Sequence, residues 1–328
     1  MKVVLAPGLS RNILATIAIG DSYYRAWEQH ALPAWIAYCE RHGLGLVVFD
    51  RDLMEKTEQH WKKATWQKML IGECLKSAGL EVDSLCYLDS DILINPTAPN
   101  IFLGYDPETI GLTSIRTNLP YPHEELLRRL AFLRHTCYDE AYPLDSALFM
   151  SLQQLYEYHE LPVQPDEACM GLIVFNVDNH TKLMRAWFDK YDRNVQSVTN
   201  GGDQTHINYE IQNWGKVSWL DYRFQAIWAY EMAWKYPFLY DYGRNDEVLI
   251  RKCIEAALYQ NHFLHFAGAW HESNMWKLGG FFASETEQKR LSSYQQYLLQ
   301  PLTGNPVGMI KPTASSVGDL EPILNQYE

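Results

Sequence analysis

The sequence lacks several features that would place it in other classes of protein. Lysine and arginine number 28 against 40 aspartates and glutamates, giving a formal net charge of −12, whereas nucleic-acid-binding proteins carry a basic excess. No apolar run is long enough to span a bilayer, and the opening MKVVLAPGLSRN is too short and too weakly apolar for a signal peptide. We therefore expect no nucleic-acid partner, no integral membrane segment and a cytoplasmic location.

Paired cysteine motifs, internal repeats and low-complexity tracts are also missing. The six cysteines are scattered, with no Cys-x-x-Cys pair, and most of them lie within apolar runs. This pattern is typical of reduced cysteines in the core of a cytosolic protein. Aromatic residues, in contrast, are abundant, with 21 Tyr and 11 Trp. They indicate either a cleft that stacks on sugars or bases, or simply a core rich in aromatic rings.

Short apolar runs alternate with helical patterns along the chain. Strands are predicted over 12–19, 44–49, 85–88, 110–114, 171–176 and 262–267, and helices over 25–42, 62–78, 123–135, 146–159, 180–192, from near Asp203, and over 284–299. This alternation predicts an α/β fold with a mostly parallel sheet flanked by helices, in which ligands bind at the carboxyl ends of the strands.

One stretch, 115–165, interrupts this alternation. It contains five prolines around two helical segments. We interpret it as a helical insertion that serves as a lid or an acceptor-binding region. The predicted organisation is a single catalytic domain over 1–302, with this insertion, and an irregular C-terminal tail over 303–328.

The sharpest local feature is a pair of aspartates, Asp89 and Asp91, at the end of the apolar run 85–88. Side chains two residues apart on a strand face the same side, and two neighbouring carboxylates repel each other unless a cation lies between them. Carboxylate oxygens suit Mg²⁺ or Mn²⁺. A simple turn or helix cap explains the same Asp-Ser-Asp. A phosphatase of the haloacid type is a third reading, but its motif opens the chain and continues differently.

The ordered motifs resemble those of the GT-A-fold glycosyltransferases, Rossmann-like α/β enzymes, and most of all the retaining family 8 group that includes glycogenins and lipopolysaccharide galactosyltransferases. The resemblance touches five places between residues 16 and 271. It implies that Asp89 and Asp91, as Leu-Asp-x-Asp, bind the divalent cation, with Ser90 between them at the donor.

Upstream, residues 19–23 (IGDSY) are similar to the end of the family's first strand, which lies against the nucleobase. The resemblance therefore implies that Tyr23 and the backbone of Ile19 contact a uridine. Lys68 stands where the family has a basic residue that reaches the donor. Its alternative role is a solvated position on a helix face.

Downstream, residues 203–208 (DQTHIN) and 220–224 (LDYRF) are similar to the family's Asp-Gln-x-x-x-Asn and Leu-Asp patterns. The resemblance places Asp203 and Gln204 at the sugar, as catalytic residues of a reaction without an identifiable strong nucleophile. An N-capping role for Asp203 after two glycines is equally natural.

Residues 262–271 (HFLHFAGAWH) resemble the family's last site segment. The resemblance implies that His265 completes the metal site and that Gly268 lets the backbone approach phosphate. A histidine in an apolar strand is otherwise an ordinary core residue. His271 stands at the place of the family's diphosphate lysine and is a candidate contact to the cofactor, with phosphate binding either weaker than in the family or shared with Lys277 or Arg251.

A further departure is Cys169-Met170-Gly171 in place of the family's Asn-x-Gly. The family's Asn contacts the donor sugar, so the resemblance does not define which sugar is transferred. The resemblance implies a metal-dependent hexosyltransferase that takes a sugar from a nucleotide sugar, UDP-linked by analogy, to a glycan, protein or small-molecule acceptor, with retention of configuration. The alternative is a catalytically degenerate carbohydrate-binding or scaffolding protein on the same fold. The sequence does not define the oligomeric state.

Overall fold

The fold was examined in a computed structural model, which describes residues 1–138, 147–195 and 202–282, together with 286, 289, 290 and 293. The chain divides into two compact units, Met1–Phe281 and Phe282–Glu328, and every strand and helix with defined bounds lies in the first. Three predictions lie outside the described residues: the domain boundary at 302, the tail over 303–328, and the helix over 284–299 except for the four single residues just named. Ser146, at the start of another predicted helix, is also outside them.

Ten strands form two sheets. Their bounds are β1 Lys2–Leu5, β2 Ile13–Ile17, β3 Gly45–Phe49, β4 Ser84–Leu88, β5 Ile92–Ile94, β6 Ile110–Leu112, β7 Leu172–Asn176, β8 Val217–Trp219, β9 Ala226–Ile227 and β10 Phe263–His265. The large sheet has the order β1-β3-β2-β4-β7-β6-β8 and the small one β5-β10-β9. Five strands of the large sheet run in one direction, while β1 and β7 run opposite to their neighbours. The α/β class and the largely parallel sheet are thus confirmed.

The helices flank this sheet. Their bounds are α1 Asp21–Ala26, α2 Leu32–His42, α3 Ala64–Gln67, α4 Ile71–Ser77, α5 His123–Cys137, α6 Leu152–Tyr158, α7 Val177–Lys190, α8 Gln204–Trp214, α9 Trp228–Lys235 and α10 Glu247–Gln260. A π-helical turn, Trp27–Ala31, joins α1 to α2, and Gly43 ends α2 in the left-handed conformation, φ 64°. None of the helices within the described ranges combines the length and the apolar character that a bilayer crossing requires.

The core lies between the large sheet and the helices that cover it. Strands β2, β3 and β4 are buried along their whole length, and Leu75 of α4 and Phe188 of α7 pack against them. Continuous burial explains why these strands read as unbroken apolar runs rather than as alternating patterns. All six cysteines are free thiols, four of them buried, as predicted.

Candidate functional site

The aspartate pair occupies the turn between β4 and β5. The backbone N–H of Asp89 donates to the carbonyl of Gly171 over 2.8 Å, which ties this turn to the residue that precedes β7. The Tyr87 hydroxyl donates to Asp89 Oδ1 over 2.5 Å. Burial first, and then the charge of Asp89, raise the pKa of Tyr87 well above its ordinary value, so the phenol stays a donor. About a third of each aspartate side chain is exposed.

His265 is brought to this pair by the small sheet. Strand β10 runs antiparallel to β5 with His265 opposite Ile92, the residue that follows Asp91. The imidazole Nε2 lies 3.3 Å from Asp91 Oδ1 and 3.6 Å from Asp89 Oδ2, and one ligand atom from each of the three residues lies within 4.8 Å of the others. Burial disfavours the charged ring, but Cys169 and Asp91 outweigh it, and the pKa of His265 is raised.

The far nitrogen of His265 has two polar neighbours. Its Nδ1 lies 3.5 Å from the Cys169 sulfur and 3.3 Å from Nε2 of the fully buried Gln225. Within the described ranges, Gln225 Oε1 is buried without a hydrogen-bond partner. Amide nitrogen and oxygen are interchangeable by a flip, and a flipped Gln225 accepts a hydrogen bond from Nδ1–H. That tautomer leaves Nε2 free as a metal ligand, so the three residues fit a divalent cation.

An open cleft of about 580 Å³ adjoins the three residues. Seven of the residues named from the sequence line it: Ile19, Tyr23, Asp89, Ser90, Asp91, Gly268 and Lys277. Tyr23 presents an exposed ring. Gly268 adopts φ 103°, which favours glycine, and nothing in the described structure occupies the space where a Cβ would lie. A ligand can therefore approach this stretch of backbone.

Lys68 and Asp203 are buried beside the cleft rather than lining it. Lys68 Nζ lies 3.1 Å from Asp203 Oδ2, donates to the carbonyl of Met170 and sits 4.8 Å from the centre of the Tyr87 ring. Burial works against the ammonium, but attraction to Asp203 and then Asp89 prevails, and the pKa of Lys68 is raised. This lysine therefore supplies a fixed positive charge behind the aspartates.

Gln204 lines a second cavity, of about 260 Å³, and not the cleft. Its amide nitrogen donates to Glu167 Oε1, and the other oxygen of Glu167 receives Arg116 Nε and Nη2, both over 2.6 Å. The two carboxylate oxygens of Glu167 are thus shared between an amide and a guanidinium. The sequence offered no signal for Arg116 or Glu167, because neither belongs to a spaced motif.

The candidates for phosphate binding separate in the structure. His271 is exposed, and its ring contacts Tyr138 at 4.7 Å between centroids, outside the cleft lining. Arg251 donates to the carbonyls of Gly279 and Leu278 and to Glu247. Lys277, in contrast, lines the cleft, as Lys63 does. Of Lys277 and Arg251, only Lys277 shares a cavity with the aspartate pair.

Comparisons with known proteins find similar solved structures. No family model and no curated protein matches this chain. Among solved structures, a glycosyltransferase involved in the glycosylation of the major capsid of PBCV-1 is similar at 11% identity over 81% of this chain and 99% of that one, with a TM-score of 0.42. The galactosyltransferase LgtC, in complex with donor and acceptor sugar analogues, is similar at 12% identity over 88% and 96%, with a TM-score of 0.42.

The bifunctional glycosyltransferase WbbM is similar at 12% identity, covering 88% of this chain and 52% of that one, with a TM-score of 0.39. All three belong to the enzyme class that the ordered motifs of the sequence also resemble. A likeness this distant does not by itself establish an activity, which depends on the residues of the site.

Proposed function

We propose that this chain is a metal-dependent glycosyltransferase that takes a hexose from a nucleotide sugar, UDP-linked, and passes it with retention to a glycan or another acceptor. The observation that carries this proposal is the convergence of Asp89, Asp91 and His265 within 4.8 Å beside the cleft. These three residues would hold Mn²⁺ or Mg²⁺. The cation, when bound, offsets the charge of the diphosphate leaving group.

The chain's own residues account for the rest of donor binding. Tyr23 offers an exposed ring at the cleft for stacking on the nucleobase, with the Ile19 backbone beside it. The conformation of Gly268 opens the backbone to the diphosphate. Lys277 supplies an exposed ammonium group, whose Nζ lies 2.8 Å from the Asn274 side-chain oxygen. It would take the role of the family's diphosphate lysine, whose place in this sequence is occupied by His271.

At the sugar, Gln204 is the proposed polar group that stabilises charge on the transferring ring. Asp203 and Lys68 act from behind as a buried ion pair. Lys68 keeps positive charge within reach of Asp89 and so limits repulsion between the aspartates before a ligand arrives. Ser90, between the aspartates, lies at the cleft where it can contact the donor.

The test is thermal unfolding of the full chain with a panel of nucleoside diphosphates, with and without Mn²⁺. UDP and Mn²⁺ together should stabilise the protein, by about 2.7 kcal/mol at a hundredfold excess over Kd, and neither alone should do so. In Asp91→Asn the stabilisation should vanish. The enzymatic release of UDP from a UDP-sugar should vanish with it.

The matched control is Asp178→Asn, which removes an exposed carboxylate of a surface pair with Lys76. It should keep both the stabilisation and the turnover. An Asp91→Asn protein that remains active would disprove the metal role. A wild-type protein that binds saccharides but no nucleotide would instead favour a degenerate carbohydrate-binding protein.

A further inference from the structure

The second cavity, beside Gln204, is built differently from the cleft. Among the described residues, eleven line the cavity; six of these come from the 115–165 insertion, and none is shared with the cleft beside the aspartates. Gln204 follows Asp203 directly, and Asp203 pairs with Lys68 next to the cleft. The chain therefore passes directly from the buried ion pair to a residue that lines the second cavity.

Buried polar groups at this cavity have hydrogen-bonding capacity to spare. Arg116 Nη1 donates to the carbonyl of Met150 over 2.9 Å, so that with the two bonds to Glu167 three of its five N–H groups are engaged. Tyr230 is 3% exposed, and its hydroxyl makes no hydrogen bond within the part of the chain that the structure describes. Burial raises the pKa of Tyr230, so this hydroxyl remains protonated and able to donate.

The charge of this cavity selects against ionic ligands. Arg116 and Glu167 neutralise each other at close range, and both side chains are less than a tenth exposed. An anion in the cavity would be repelled by the Glu167 carboxylate, because the charge of Arg116 is already neutralised by Glu167. A cation would likewise be repelled by the Arg116 guanidinium. A neutral molecule that both donates and accepts hydrogen bonds meets neither penalty. Ile115 and Leu155 add apolar surface to the lining.

We propose that this cavity is a subsite for one neutral sugar ring, the terminal residue of the acceptor, and that Glu167 positions Gln204 between this ring and the donor. The volume of about 260 Å³ is slightly below the range of about 300–1,000 Å³ of sites for drug-sized ligands and suits a single ring. The acceptor role rests on the proposed function, whereas saccharide binding in the cavity does not.

The experiment is saturation-transfer NMR on the full chain with a panel of methyl hexopyranosides, first without nucleotide or metal and then with UDP and Mn²⁺. At least one methyl hexopyranoside should bind, and its binding should persist when UDP occupies the cleft. Ala147, an exposed residue that lines the cavity, is replaced in Ala147→Trp to obstruct it. This variant should weaken saccharide binding by about tenfold or more, equivalent to about 1.4 kcal/mol.

The matched control is Ala37→Trp, on an exposed position of α2 that lines neither cavity. It should bind saccharide as the wild type does, and both variants should keep the stabilisation by UDP and Mn²⁺. A sugar that binds Ala147→Trp and wild type equally, or a panel without any binder, overturns the subsite. Saccharide binding that Ala147→Trp removes, in a protein that no nucleotide stabilises, leaves the subsite standing and refutes the transferase.

Discussion

Gly171 lies against two of the candidate metal ligands, His265 and Asp89. A Cβ added there would be 2.3 Å from His265 Cε1 and 2.8 Å from Asp89 Oδ2, distances at which something must shift. His265 is 2% exposed and lies in a paired strand, so its ring has little freedom to move away. The absence of a side chain at residue 171 is therefore what allows the histidine and the aspartate to share one space.

We predict that Gly171→Ala displaces the ligands and removes the Mn²⁺-dependent stabilisation by UDP. Overpacking should also cost about 1–3 kcal/mol of unfolding free energy. Both effects are measured by thermal unfolding with and without UDP and Mn²⁺. The control is Gly72→Ala, whose Cβ would lie 2.4 Å from Thr181 Oγ1 between α4 and α7. It should lower stability but keep the ligand response. An unchanged ligand response in Gly171→Ala would contradict this account.

Single residues were predictable from the sequence where they belong to a spaced motif. Asp89, Asp91 and His265 were nominated that way, and the structure brings them together. Gln225 and Glu167 were not, because an isolated glutamine or glutamate has no local pattern and its role depends on which side chain the fold sets beside it. The roles of the nominated residues in catalysis stay predictions.

Among elements, helix α5 is joined to the turn segment His271–Leu278 by a buried ion pair. Arg134 Nε donates to Glu272 Oε1 over 2.7 Å, and the Tyr138 hydroxyl donates to Oε2. Both charged side chains are less than 5% exposed. Because the segment carries Lys277 to the cleft, this pair links the insertion to the wall of the cleft.

We predict that Arg134→Met destabilises the protein by about 3–5 kcal/mol, since it leaves the Glu272 carboxylate buried without its charged partner. The double variant Arg134→Met/Glu272→Leu, which removes both charges, should recover much of this loss. Denaturant unfolding of Arg134→Met, of Glu272→Leu and of the double variant measures the coupling. A double variant as unstable as the sum of the single ones would show that the pair is not coupled.

The sequence predicted most strands of the large sheet but missed helices α9 and α10. Strands β2, β3, β6, β7 and β10 lie within the predicted runs, and β4 begins one residue before its run. Strands β5, β8 and β9, of two or three residues, were missed because so short a segment shows no periodicity. The antiparallel direction of β7 could not be predicted from the sequence either, since a buried strand has the same composition in either orientation.

For the whole molecule, stability in acid depends on buried histidines. Burial lowers the pKa of His206 to about 4, with smaller effects from His159 and Lys190, and burial likewise lowers that of His262 to about 4. Unfolding returns each ring to an ordinary value near 6.5. Between pH 6.5 and 4 the unfolded chain binds more protons than the folded one, so the free energy of unfolding falls as the pH falls through this window.

We predict that His206→Phe flattens this fall, by on the order of 1–2 kcal/mol between pH 6.5 and 4 because the ring is not wholly desolvated. The substitution suits the site, since His206 packs among Trp66 and Tyr191 and its Nδ1 has no hydrogen bond within the described residues. Urea unfolding at pH 7.5, 6.0 and 5.0 compares the slopes. A variant that loses stability with acid as steeply as the wild type would refute this role for His206.

The pairing of β5 with β10 also fixes when a metal site can exist during synthesis. The aspartates leave the ribosome long before His265, and at about 5–20 residues per second the interval is roughly ten to thirty-five seconds. Throughout that time the nascent chain exposes two adjacent carboxylates without the third ligand. The three-residue candidate site is thus complete only in a chain whose strand β10 has been made and has paired with β5.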